Sequence, residues 1–259
     1  MRPSYAVAAA LALSLGAAPA AQADPAPDEI AKQAVETNMF STSNARATLD
    51  LDISKDGAVV RNRKISTVVK RADGVVRTLA LFEAPADVAG TKFLSVKEKD
   101  GSTQQYIYLP AFKKVKRVVG AQRGQSFMGT DFSYADLEGG RVDDSSWKRL
   151  ADDKIQGEDC YVVEGTPKKP EGEEYGRSVF WVHKRNMIPL KTELYDKPGK
   201  EVVKRLVVNK LAKKDEHFVA MDSVMETVKK GTQTRLRINA IDFKSEIPDD
   251  SLTREALER

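Results

Sequence analysis

Few side chains in this sequence have the types and spacing that catalysis requires. The two histidines, His183 and His217, stand far apart, and neither lies in a His-Glu-x-x-His pattern, which would stack two imidazoles one helical turn apart around a zinc ion. Gly124-Gln125-Ser126-Phe127-Met128-Gly129 has the flavour of a nucleophile elbow. Its second glycine comes one residue too late for that strained turn, however, and no parallel strand is predicted before it, so it reads as a glycine-punctuated loop. Cys160, the single cysteine, precedes Tyr161 and Val162 at a strand start and reads as a small buried hydrophobe; alone it excludes an internal disulfide and any zinc site built from several thiolates. The acid pairs Asp143-Asp144, Asp152-Asp153 and Glu173-Glu174 fall in turn-like segments, where solvated carboxylates are the default. They could act as a glycosidase pair only if folding brought two of them within reach. No phosphate-binding loop and no dinucleotide fingerprint occurs. The expectation is a protein that is not an enzyme, with no catalytic residue, no metal and no cofactor.

What remains is chemistry without bond making. Large apolar side chains crowd the stretch from Phe82 to Tyr134, among them Phe93, Tyr106, Tyr108, Phe127, Met128 and Phe132. Tyr106 and Tyr108 share one face of a predicted strand while Ile107 and Leu109 share the other, so both faces must be covered, one by core and one by helices, loops or a ligand. Beside them lies the densest basic run, Lys113, Lys114, Lys116 and Arg117. It reads either as an edge strand guarded by lysines against pairing or as a docking patch for an acidic partner or anionic headgroups.

The elements that must position these residues follow a period of two. Leu49, Leu51 and Ile53 alternate with Asp50, Asp52 and Ser54, and the chain then turns at Asp56-Gly57. The same pattern recurs at Val59 to Arg71, Val75 to Glu83, Thr91 to Lys97, Gln104 to Leu109, Trp147 to Ile155, Tyr161 to Gly165, Arg177 to His183, Leu190 to Asp196, Val202 to Val208, Ala220 to Val228 and Thr234 to Phe243. About eleven strands joined by short turns predict an antiparallel meander and argue against alternating βαβ units. One short amphipathic helix is expected near Asp28 to Val35, and another at Ser251 to Arg259 with Leu252 and Leu257 inward. Val119 to Gly140 has no period.

Composition sets the outer bounds. The 259 residues are 41% hydrophobic and 31% charged, with 42 Lys+Arg against 38 Asp+Glu, a net charge of +4. An ordinary apolar fraction disfavours disorder, and so nearly balanced a charge disfavours a dedicated nucleic-acid binder. Residues 1–23 open with Arg2, run through an Ala- and Leu-rich core and end on Ala21-x-Ala23, the pattern of a cleaved secretory signal peptide. The apolar run falls short of a membrane span, and no cysteine follows the cleavage site, so the expected product is a soluble exported protein, not a lipoprotein. Residues 24–259 show no linker and read as one domain.

The order Gly90-Thr91-Lys92-Phe93-Leu94, Tyr106-Ile107-Tyr108-Leu109-Pro110, Lys113-Lys114-Val115-Lys116-Arg117 and then Ser126-Phe127-Met128-Gly129-Thr130-Asp131-Phe132-Ser133-Tyr134-Ala135-Asp136-Leu137 resembles the periplasmic outer membrane lipoprotein-sorting proteins, the LolA-like family. Phe180-Trp181-Val182 and Pro189-Leu190-Lys191 agree in kind. The resemblance implies a mainly β fold of about eleven antiparallel strands in an unclosed half-barrel, with short helices as a lid over the concave face. It also implies a monomeric periplasmic carrier that holds the acyl chains of lipoproteins or another hydrophobic ligand. Such a carrier would receive its cargo from an inner-membrane transporter and pass it toward an outer-membrane acceptor. Phe93, Tyr106, Tyr108, Phe127, Met128 and Phe132 would then face the cavity or its lid, and Lys113, Lys114, Lys116 and Arg117 would dock a partner. The alternative within this superfamily is an RseB-like periplasmic sensor of lipid or lipoprotein.

Overall fold

The computed structural model describes residues 24–37, 44–139 and 142–259. The signal-peptide reading concerns residues 1–23 and lies outside them.

The described residues begin with one helix, α1 (Pro27–Glu36), followed by β1 (Ala45–Lys55), β2 (Ala58–Ala72), β3 (Val75–Ala84), β4 (Lys92–Lys97), β5 (Thr103–Leu109) and β6 (Lys114–Arg117). After a long crossover come β7 (Ser145–Arg149), β8 (Asp153–Ile155), β9 (Glu158–Pro167), β10 (Arg177–His183), β11 (Pro189–Tyr195), β12 (Val202–Lys214), β13 (His217–Thr227) and β14 (Thr232–Asp242). All belong to one antiparallel sheet in the order β6-β5-β4-β3-β2-β1-β14-β13-β12-β11-β10-β9-β7, with β8 beside β9. The first and last strands pair at its centre, Leu51 against Leu236, and β6 and β7 form two edges that do not pair with each other. The sheet is therefore open, and residues 118–139 and 142–144 lie between its two edges in the chain.

Turn chemistry sets the hairpins. Asp56-Gly57 and Asp73-Gly74 each place two successive residues at positive φ, as a two-residue turn matched to strand twist demands. Gln156-Gly157 does the same between β8 and β9. Alternation then sorts the two faces. Leu49, Leu51 and Ile53 are buried on one, whereas the other carries cross-strand ion pairs: Arg237 with Asp52 at 2.5 Å, Arg235 with Asp222 at 2.6 Å, and Arg205 with both Glu193 and Glu226. On the first face α1 packs Ile30, Ala31 and Ala34 against Val163 and Val182. Gly165 stands opposite Trp147 in the ladder, and a Cβ there would lie 2.6 Å from the indole, so only glycine lets the ring lie across β9.

Three expectations need correction. The described residues form fourteen strands in place of about eleven. Trp147 to Ile155 divides into β7 and β8, and Lys114–Arg117 adds β6 at the sheet edge, in line with the edge-strand reading of the basic run. Val202 to Val208 extends to Lys214, because Asp215 turns the chain at φ 49° and its lysine-rich end continues the ladder into β13. The C-terminal segment forms two 3₁₀ turns, Asp249–Leu252 and Glu255–Glu258, although Leu252 and Leu257 are buried as expected.

Candidate functional site: a plugged apolar face

The crossover between the sheet edges lays residues 126–137 on the face that buries Leu49, Leu51, Ile65, Phe93, Leu236 and Ile238. Its shape is local. Phe127 N–H donates to Phe132 O at 2.7 Å and Thr130 N–H to Phe127 O at 3.0 Å, closing a tight turn in which Met128 and Gly129 stand at φ 51° and 77°. Serines 126 and 133 bridge below it. The turn drives Phe127 into the sheet, edge-on to Phe93 with centroids 4.9 Å apart, 5.6 Å from Phe82 and 5.5 Å from Tyr134. Met128, Phe132, Tyr134 and Leu137 pack beside it. Burial pushes the Tyr134 hydroxyl pKa up.

A cavity of ≈ 60 Å³ remains between plug and sheet, walled by Leu49, Leu51, Ile65, Phe93, Phe127, Phe132 and Leu236, with Thr67, Thr78 and Ser95 as its polar lining. Ligand pockets are about 300–1,000 Å³, so this face can admit a lipid only where the plug withdraws.

The plug interleaves apolar side chains with polar fastenings. Asp131, buried, accepts from the hydroxyls of Thr227 at 2.6 Å, Thr232 at 2.5 Å and Thr234 at 2.7 Å, and its N–H donates back to Thr234 Oγ1 at 2.8 Å. Asp136 accepts from Lys204 Nζ at 2.6 Å, Tyr175 OH at 2.7 Å and Ser133 N–H at 2.7 Å. Burial, with the Asp136 charge behind it, pushes the Tyr175 hydroxyl well up, so Tyr175 stays a donor. Gln105 Nε2 donates to Tyr134 O at 2.8 Å, and Arg123 grips Glu138 with two bonds of 2.7 and 2.6 Å.

Of the residues singled out in the sequence, the fold brings Phe93, Phe127, Met128 and Phe132 together here. Tyr106 and Tyr108 lie on the opposite face of β5, packed with Leu94 beneath Ile247, Leu252 and Leu257 of the C-terminal segment. Lys113 ends the turn after β5 at φ 48°, and Lys114, Lys116 and Arg117 are exposed on β6 while Val115 packs inward. Asp131, Asp136 and the threonines of β13 and β14 were not singled out. Their signal is two carboxylates inside an aromatic block, which need buried partners, and Thr232 and Thr234 on one strand face.

Other candidates make local contacts. Cys160 is buried, and desolvation pushes its thiol to about 11. His183 Nε2 lies 3.1 Å from Glu158. Asp152 is held by Lys184 at 2.5 Å and by Arg149. Among the described residues no cluster of His, Cys, Asp and Glu could hold a metal ion, and no helix is long and apolar enough to cross a membrane.

The fold is shared with solved structures of lipoprotein-sorting and LolA superfamily proteins. A domain assigned to an outer membrane lipoprotein-sorting protein from Vibrio parahaemolyticus is 27% identical and superimposes with a TM-score of 0.81, covering 90% of this chain and 98% of its own. A DUF1329 family protein from Desulfovibrio piger is likewise 27% identical, with a TM-score of 0.79 over 89% of this chain and 98% of that one. A LolA superfamily protein from Nitrosomonas europaea shares the fold at 17% identity, TM-score 0.67, over 90% and 99% of the two chains. Among curated proteins none matches. The family model that matches residues 74–259, more than half of the chain, carries the description "Uncharacterized protein", and the chain belongs to that family.

Proposed function

We propose that the protein is a soluble periplasmic carrier that shields the acyl chains of a lipoprotein or another lipid, taking them from an inner-membrane transporter toward the outer membrane. The observation that carries this reading is the plug: an aromatic turn on an apolar sheet face, fastened by polar contacts. An acyl chain releases about 0.8 kcal/mol per buried CH₂, so twelve or more methylenes supply about 10 kcal/mol, enough to replace the contacts of a few phenylalanines. No catalytic group is needed, and release requires a partner that binds the cargo or the open form better. The likeness to a lipoprotein-sorting domain supports the same reading. Native mass spectrometry of protein purified from the periplasm tests it, with bound lipid as the expected result. Empty protein that also ignores a fluorescent fatty acid would sink the proposal.

A further inference from the structure

Arg63 on β2 is buried, with 4% of its surface exposed, on the same face as the plug. It is the next inward-facing residue after Ile65 and stands directly opposite Leu51 on β1, and both of those residues wall the cavity. A guanidinium has five N–H donors, yet here Nη1 makes one bond of 3.1 Å to Asn62 O and Nη2 lies a loose 3.5 Å from Asp87, a carboxylate mostly in solvent. Nε has no partner. A cation withdrawn from water with so little compensation is costly unless an anion completes it. Two residues earlier on the same face lies the exposed Arg61, whose Nη1 sits 3.0 Å from where a Cβ on Gly129 would project, so the tip of the plug rests on it.

We infer that Arg63, with Arg61 beside it, is an anion site at the end of the apolar face, so that the cargo is an anionic amphiphile whose acidic headgroup, carboxylate or phosphate, sits on the guanidinium while its chain runs over Leu51 and Ile65. The inference rests on the carrier reading and narrows its cargo. The planar fork of Arg matches a two-oxygen acceptor, and a bidentate charge-assisted pair is stronger than a neutral bond. Asp131, a buried carboxylate of the plug, is already taken by three threonines.

Competition against bound Nile red, a neutral probe, by laurate, dodecyl phosphate and methyl laurate at pH 8 tests this. The acidic amphiphiles should bind about tenfold or more tighter than the ester. Arg63→Gln should abolish that preference, Arg63→Lys should keep part of it, and Arg61→Gln, at an exposed position that folding tolerates, should reduce it about threefold. Equal binding of laurate and methyl laurate by the unaltered protein overturns the anion site and leaves the carrier standing. If no amphiphile displaces the probe, the carrier reading falls with it. Inorganic phosphate that binds as tightly as dodecyl phosphate in calorimetry overturns the headgroup assignment in favour of a free anion.

Discussion

Asp131 shows how a polar residue can govern an apolar site. Three threonine hydroxyls converge on its carboxylate, two from the β14 strand face and one from the end of β13, so one side chain ties the plug to two strands of the sheet. Alanine there leaves the hydroxyls to find other partners and removes bonds to a charged group, each worth about 1.5–3 kcal/mol. Because the lost contacts join plug to sheet and not strand to strand, the effect should concentrate in the plug. Asp131→Ala is expected to speed amide hydrogen exchange at Phe127 and Thr130 far more than at β1 or β14, and to tighten binding of a fluorescent fatty acid by lowering the cost of opening. Uniform loss of protection across the sheet would show instead that Asp131 holds the fold as a whole.

At the scale of elements, the outward-facing charges form a ladder across β11, β12, β13, β14 and β1. Burial raises the carboxyl pKa of Glu193, but hydrogen bonds from Lys191, Arg205 and Tyr195 outweigh it and hold the group below its ordinary value; Asp222 is lowered in the same way by Arg235 and Asn209. A carboxyl whose folded pKa lies below its unfolded one stabilises the fold fully above the unfolded value and loses that contribution as pH falls through the folded one. The melting temperature should therefore hold steady above about pH 5 and decline below about pH 4, and Glu193→Gln with Asp222→Asn should flatten that decline. An acid limb unchanged in the double variant would assign it to other carboxylates. These strands were largely legible in the sequence because alternation such as Leu49-Asp50-Leu51-Asp52 encodes two faces with different solvents. Gln156-Gly157 and Asp215 were not, since their positive φ is fixed by the hairpin that forms around them. The site was half legible. Phe93, Phe127, Met128 and Phe132 stood out as a cluster, but Tyr106 and Tyr108 are equally aromatic, and only the fold decides that their parity on β5 turns them away from the plug. Arg63 was invisible, because a lone arginine on an alternating strand looks like any solvated charge.

The whole molecule is a sheet covered on both faces by segments that are not strands. The plug and α1 lie on one face, and the C-terminal turns lie on the other over Leu94, Val96, Tyr106 and Tyr108. If the plug is the displaceable cover and the tail the fixed one, the two should differ in what their loss does. The tail is pinned by Lys70 Nζ on Ile247 O at 2.5 Å and Lys92 Nζ on Leu257 O at 3.0 Å, and buries Leu252 and Leu257 completely enough that truncating either leaves a hole. Leu257→Ala should cost about 2–4 kcal/mol, lower the melting temperature and raise the binding of dyes that report exposed apolar surface. Fatty-acid affinity, set on the opposite face and at a temperature where the variant is folded, should stay unchanged. A fall in affinity matching the loss of stability would mean that the two covers open together, with the sheet between them transmitting the strain.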